Sequence, residues 1–141
     1  MTDMNWFHWA LLSALFAGLT AVLAKAGVKG IDSNLATAIR TIVVLVFAWS
    51  IALCRGLDTL HKATARTWLF LVLSGLATGA SWLCYFRALQ LGDASKVAPV
   101  DKLSVLVAIV LAVLFLGEHS TWRLWAGAAL IVTGTVVVAG G

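Results

Sequence analysis

Long apolar runs alternate along the chain with short polar links. Three runs of about 20 residues carry no charge, and two more are interrupted only by Arg40 and by the pair Asp101 and Lys102. About 20 apolar residues in helical form cross the hydrocarbon core of a bilayer. The pattern therefore predicts five transmembrane helices, over about 5–26, 34–54, 66–89, 97–117 and 121–140.

The links between these runs carry residues typical of helix ends. Ser33 or Asn34 is placed to cap the second helix, and Pro99 is expected in the first turn of the fourth, where its missing N–H is harmless. Because the runs are continuous rather than alternating, and five is an odd number, a β-barrel is disfavoured. We therefore expect an all-α integral membrane protein, with residues 1–141 forming a single transmembrane domain.

Composition supports the same class. Hydrophobic residues make up 62% of the chain and charged residues 11%, and the mean hydropathy is +1.00. A soluble domain is closer to half apolar and a quarter charged, and a disordered chain is far more polar. The net charge of +4 comes from scattered Lys and Arg residues without a basic patch, so no nucleic-acid partner is expected. The partner expected instead is the lipid bilayer.

The distribution of positive charge bears on orientation. Five helices place the two termini on opposite sides, with four basic residues on the N-terminal side and six on the other. Three of those six, Arg40, Arg87 and Lys102, are partly embedded, and without them the bias reverses. Since the side richer in Lys and Arg usually faces the cytoplasm, such a near balance permits insertion in both orientations.

Polar side chains at helical spacing mark three faces that together suggest a cavity for a small-molecule substrate. The alternative is that the hydroxyls bond to their own helix backbone or to a neighbouring helix. The three faces comprise Trp9, Ser13, Phe16 and Thr20 on the first helix, Thr37, Arg40, Val44 and Phe47 on the second, and Ser74, Thr78, Ser81 and Tyr85 on the third.

Embedded charges are the strongest functional candidates, because each costs about 2.5–3.5 kcal/mol even on lenient insertion scales. We expect Arg40, Arg87, Asp101 and Lys102 to line one substrate or ion pathway, with Asp101 paired to Arg40 or Arg87. Basic groups around a single acid favour a carboxylate, a phosphate or a zwitterion as substrate. The alternative, strongest for Lys25 and Lys102, is that the side chain reaches to the membrane interface.

Other residue patterns indicate packing rather than chemistry. Gly75 and Gly79 form a GxxxG pair on the third helix, which allows two helix backbones to approach closely. No nucleophile–base pair, metal-ligand set or phosphate-binding loop occurs in the sequence. We therefore expect neither an enzyme, a cofactor nor a metal site.

The C-terminal stretch LAVLFLGEHSTWRLWAGAALIVTGTVVV resembles the end of an EamA-like domain of the drug/metabolite transporter superfamily. The matching positions are Leu116-Gly117-Glu118, followed by Gly127, Leu130, Ile131 and Gly134 on the last helix. The segments ALFAGLTAVLAKAGV and SWLCYFRALQLGDASKVAP are similar to the first and third helices of the family, and Arg40 stands where the second often has an arginine. In this motif Gly127 and Gly134 are expected to pack against a neighbouring helix.

The resemblance implies how the chain would work. Most members of the superfamily have ten helices in two inverted five-helix domains, whereas this chain resembles its five-helix bacterial and archaeal branch. Transporters of this kind bind substrate between two inverted repeats, so we expect a homodimer, antiparallel rather than parallel, although pairing with a different five-helix chain stays open.

The preferred interpretation is a secondary active transporter, an exporter of small anionic or zwitterionic metabolites, spanning the cytoplasmic (inner) membrane of a prokaryote several times. It would operate by alternating access within the dimer. Two alternatives remain open: a non-transporting scaffold or assembly subunit, and an accessory protein of lipid flipping.

Overall fold

The computed structural model describes residues 5–58 and 60–141, and this part of the chain is helical without strands. A short 3₁₀ turn over Leu60–Lys62 lies in the loop between the second and third helices. The six α-helices are α1 (Trp6–Gly27), α2 (Ser33–Arg55), α3 (Ala65–Leu91), α4 (Ala94–Asp101), α5 (Ser104–Leu116) and α6 (Trp122–Gly140).

The predicted fold class is confirmed. Within the described ranges, five helical segments are long and apolar enough to span a membrane, and α4 and α5 together form one of them, Ala94–Leu116. At most 11% of the most apolar window of any span is buried within the chain. The apolar side chains of these spans are therefore left to contact lipid or another protein surface, as expected of a membrane protein.

Local sequence accounts for where the helices begin and end. The Asp32 carboxylate accepts hydrogen bonds from the backbone N–H groups of Asn34 and Leu35 at 2.9 and 3.1 Å. Asp32 is thus the N-cap of α2, and the expectation that Ser33 or Asn34 fills this position is wrong by one residue or two. Gly117 ends α5, and with it the fourth span. Its φ is +67°, a conformation that glycine adopts without a steric penalty.

The fourth span differs from the prediction of one helix over 97–117. It begins three residues earlier, at Ala94, so Pro99 lies in the helix interior rather than in the first turn. Proline has no N–H to donate to the carbonyl four residues back, and the helix stops two residues after it. The Lys102 and Leu103 N–H groups instead donate to carbonyls three residues back, at 3.0 Å, before α5 begins.

The chain divides into two compact units, of which the first combines the part up to Lys25 with Leu91–Gly141. In this unit α4 packs against α6. The Thr135 hydroxyl on α6 donates a hydrogen bond to the Pro99 carbonyl at 3.3 Å. The Lys25 ammonium donates to the Gly92 carbonyl at 2.6 Å, so the end of α1 is joined to the start of the fourth span.

The second unit, Ala26–Gln90, contains α2 and α3. Its buried positions in these helices fall in the first two turns of α2, at Ser33, Ala36 and Thr37, and in the last two turns of α3, at Phe86 and Leu89. The Gln90 amide donates to the Ile31 carbonyl at 2.7 Å, which joins the end of α3 to the link before α2. The buried residues and the hydrogen bond of this unit therefore lie where α2 begins and α3 ends.

Candidate functional site

Arg40 is the most informative polar residue of the second unit. It is the eighth residue of α2, about 10 Å along the helix axis from its first residue. Its guanidinium carbon lies 4.3 Å from the centre of the Trp82 ring and 5.6 Å from that of Phe86. Both distances are within the range of about 6 Å over which a cation is attracted to an aromatic face. Arg40 is therefore held between α2 and α3 by aromatic rings.

The guanidinium keeps its hydrogen-bonding capacity. Among residues 5–58 and 60–141, the structure gives the Arg40 N–H groups no hydrogen-bond acceptor, and its partners are the two rings and the nearby Tyr85, with which it interacts electrostatically. A guanidinium has five N–H donors, and the attraction of its charge to an aromatic ring does not supply them with a hydrogen-bond acceptor. These donors can therefore bind an anionic group.

Two predicted pathway residues near the end of α3 have different surroundings. Tyr85 lies close enough to Arg40 to interact with it and makes an edge-to-face contact with Phe86 at 6.4 Å. Arg87 is exposed and donates a hydrogen bond to the Gln90 side chain at 3.0 Å. Of the two, Tyr85 therefore belongs to the aromatic cluster around Arg40, and Arg87 to the polar end of the helix.

Asp101 and Lys102 belong to the first unit and lie where α4 ends. The Lys102 ammonium is 3.5 Å from the Asp101 carboxylate, and both side chains are partly exposed. An exposed ion pair of this kind contributes about 0–1 kcal/mol. Because Arg40 and Arg87 belong to the second unit, the pairing of Asp101 with either of them stays a prediction.

Beside this pair an open apolar groove of about 510 Å³ runs between α4 and α6. Ala98, Pro99 and Lys102 line it from the fourth span, and Gly134 and Thr135 are among the residues that line it from α6. The only hydroxyl of this lining donates to the Pro99 carbonyl, so the groove offers apolar surface with one ammonium at its edge.

The predicted hydroxyl faces are mostly exposed in the chain. The Thr78 hydroxyl donates to the Ser74 carbonyl at 2.9 Å, which is the bond within the helix that the alternative interpretation anticipates. Ser81 is exposed on α3, as are Trp9 and Ser13 on α1, whereas Thr20 is half-buried. Their contribution to a substrate pathway stays a prediction.

The four candidate packing glycines have free space around them. A Cβ placed on any of them meets no atom outside its own helix backbone within 4 Å in the described part of the chain. The surface at these positions can therefore accept another backbone without rearrangement, and their role in helix packing stays a prediction. These glycines are Gly75 and Gly79 on α3, and Gly127 and Gly134 on α6.

Sequence reasoning missed Trp82 and Phe86. They lie one helical turn apart on α3, one residue away from the face that contains Thr78, Ser81 and Tyr85. A signal for them was present, because an arginine embedded in an uncharged run needs a partner, and an aromatic face is one when no acid is nearby. The only partner predicted for Arg40 from the sequence is the carboxylate of Asp101.

The comparisons with known proteins agree with this architecture. Residues 4–140 match the EamA-like transporter family. A Sinorhizobium protein described as an uncharacterized transporter in the cobO 3' region is 54% identical over 138 residues, which cover 97% of this chain and 98% of that protein. No solved structure gives a significant match.

A second relative is longer. The uncharacterized transporter YvbV of Bacillus subtilis strain 168 is 40% identical over 68 residues, which cover 48% of this chain and 22% of that protein. The chain is therefore less than half as long as YvbV and about as long as the Sinorhizobium relative. With five membrane-spanning segments and a match that extends over nearly all its residues, this multi-pass membrane protein belongs to the EamA-like transporter family.

Proposed function

We propose that the protein is a secondary active transporter that exports small anionic or zwitterionic metabolites, and that two inverted copies form the working unit. The observation that carries the proposal is an arginine inside a candidate membrane span of an EamA-like transporter family member, whose N–H groups have no hydrogen-bond acceptor among residues 5–58 and 60–141. An intramembrane charge marks a substrate or ion pathway by default, and its sign favours an anionic group.

The comparison with the Sinorhizobium relative supports the two-copy unit. The sequence contains five candidate membrane spans, and it matches 98% of that relative, which is described as an uncharacterized transporter. YvbV is more than twice as long, which leaves room for two such domains. Inverted repeats place a site at the midplane and alternate access around it, so a single repeat needs a second copy of opposite orientation.

The near balance of basic residues is consistent with opposite orientations. A chain whose Lys and Arg count is similar on both sides has a weak preference for either orientation in the membrane. We place it in the cytoplasmic membrane of a prokaryote, because its Sinorhizobium and Bacillus subtilis relatives are bacterial proteins. Labelling of cysteines introduced at each terminus tests this part, and labelling of each terminus from only one side would exclude dual topology.

Export is tested in bacteria grown on a uniformly labelled carbon source. Cells that produce the protein are expected to release particular labelled metabolites in excess over cells carrying an empty vector. Arg40→Ala and Asp101→Asn are expected to abolish this excess while the protein still inserts to the same level. An excess that persists in both variants would contradict the proposed pathway, and loss of insertion or assembly in both would favour a scaffold role.

A further inference from the structure

We infer that Arg40, held against the Trp82 ring, is a carboxylate-binding group, so that the substrate carries one carboxylate on an otherwise uncharged body. This inference rests on the proposed function, because it names the substrate class of the same site. It assigns Trp82 as a positioning residue that acts through Arg40. The juxtaposition that carries it is a guanidinium carbon 4.3 Å from an indole ring centre, with its N–H groups unpaired among the described residues.

The aromatic contacts restrict the positions that the Arg40 guanidinium can take. A guanidinium is planar, and its N–H groups point outward in that plane as a fork that matches the two oxygens of a carboxylate. Its carbon lies over the Trp82 ring, and Phe86, one turn later on α3, lies 5.6 Å from the same carbon. Because α3 supplies both rings, the guanidinium is held in place before a ligand arrives, which reduces the entropy lost on binding.

The charges of the second unit favour a carboxylate over a phosphate. Among its described residues the only acids are Asp32, whose carboxylate caps α2, and Asp58, which lies in the loop after α2. Neither lies within a membrane span, so the described residues of this unit supply no acid within the span that contains Arg40. One carboxylate matches the single positive charge of the guanidinium, whereas a phosphate ester carries about −1.5 to −2 charges at neutral pH and would leave an excess.

The surroundings of Arg40 also limit the rest of the ligand. No charged residue occurs over 41–54 of α2 or over 67–86 of α3. One and two turns beyond Arg40 on the same face of α2, Val44 and Phe47 are exposed apolar side chains. A second charge on the ligand would lose its hydration without gaining a partner from this unit. The remaining body of the ligand is therefore uncharged.

Binding is tested with the purified full chain in nanodiscs of a neutral phospholipid, using benzoate and hexanoate, their neutral amides and inorganic phosphate as probes. Isothermal titration measures each affinity, and a short-chain phosphatidylglycerol tests whether a lipid phosphate competes. At least one carboxylate is expected to bind more tightly than its amide by about tenfold or more. That factor corresponds to about 1.4 kcal/mol.

Matched variants separate the geometry from the charge. Arg40→Lys keeps the charge but removes the planar fork, so it is expected to weaken carboxylate binding by about tenfold. Arg40→Gln is the second variant if the lysine variant misfolds. Trp82→Leu is expected to weaken carboxylate binding several-fold. Trp82→Phe, which keeps an aromatic ring, is expected to retain most of the parent affinity. Arg66→Lys is the control, because Arg66 also lies over an aromatic ring of α3, that of Phe70 at 5.6 Å, but in the first turn of the helix.

Three results would overturn the inference. They are equal binding of every carboxylate and its amide, an Arg40→Lys effect no larger than that of Arg66→Lys, and tighter binding of phosphate or phosphatidylglycerol than of any carboxylate. Other outcomes distinguish this inference from the proposed function. Carboxylate binding that depends on Arg40 in a protein that exports nothing would support the carboxylate-binding group and contradict the transporter function. Export of labelled metabolites that is unaffected by Arg40→Lys would support the transporter function and contradict the carboxylate-binding group.

Discussion

The contact between Arg40 and Trp82 is expected to contribute measurably to folding stability, apart from any role in binding. A double-mutant cycle isolates this contribution by comparing Arg40→Met, Trp82→Leu and the double variant with the parent protein. Each single change removes the attraction between the cation and the ring, so the double variant should lose less stability than the sum of the two single variants.

The size of the coupling follows from distance and exposure. Cation–π attraction is worth about 0.5–1 kcal/mol at exposed sites and about 2 kcal/mol or more when the pair is desolvated. Arg40 is partly exposed and lies 4.3 Å from the ring centre, well inside the effective range. We therefore expect a coupling of about 1 kcal/mol, which changes the ratio of folded to unfolded protein by about fivefold.

Unfolding by increasing SDS in mixed micelles, followed by far-ultraviolet circular dichroism, measures the free energy of unfolding for all four proteins. The pair Arg66 and Phe70 is the matched control, with a longer separation of 5.6 Å and an exposed ring, and its coupling should be about 0.5 kcal/mol or less. A coupling for Arg40 and Trp82 below about 0.3 kcal/mol, the usual error of additivity, would refute the assignment.

Three further predictions concern the helix ends and the fourth span, each measured as the same free energy of unfolding. Asp32→Ala should destabilise by about 1 kcal/mol because α2 loses its cap, whereas Asp32→Asn, which retains an acceptor oxygen, should cost only a few tenths; an equal cost would contradict the capping role. Thr135→Val should lower the free energy of unfolding by about 0.5–1.5 kcal/mol, because the hydrogen bond to the Pro99 carbonyl is lost. Thr135→Ser keeps the hydroxyl and is the control, and equal losses of stability in the two variants would exclude a contribution from that bond. Gly117→Ala should cost about 1–2 kcal/mol because of its positive φ. The comparison is Gly18→Ala, at a mid-helix position with open space, which should stabilise by about 0.5–1 kcal/mol; equal effects of the two changes would argue against backbone strain at residue 117.

The number and approximate limits of the membrane spans could be predicted because both depend on hydropathy and length, which are properties of single segments. The third helix, for example, was expected over about 66–89 and extends over Ala65–Leu91. The fourth was predicted less well, because its start depends on the N-cap position at Asp93 and its interruption on which carbonyls accept the N–H groups after Pro99. Such local competition between backbone bonds is not encoded in hydropathy.

The candidate site was predicted in part. Arg40 is identifiable from the sequence because a charge inside an apolar run is costly, whichever residues contact it. Its actual contacts with Trp82 and Phe86 depend on how α2 and α3 are rotated about their axes, which helical periodicity alone does not fix. A stripe of polar residues one position away on α3 has the same spacing, and spacing alone does not distinguish that face from the aromatic one.

The interruption after Pro99 gives the fourth span a mechanical property. Around Lys102 and Leu103 the backbone bonds reach back three residues instead of four, so the span consists of two stiff rods joined at a point of lower bending resistance. The 13 residues of α5 make a lever of about 20 Å. A rotation of about 15° at the joint would therefore displace its far end by about 5 Å, comparable to one turn of a helix.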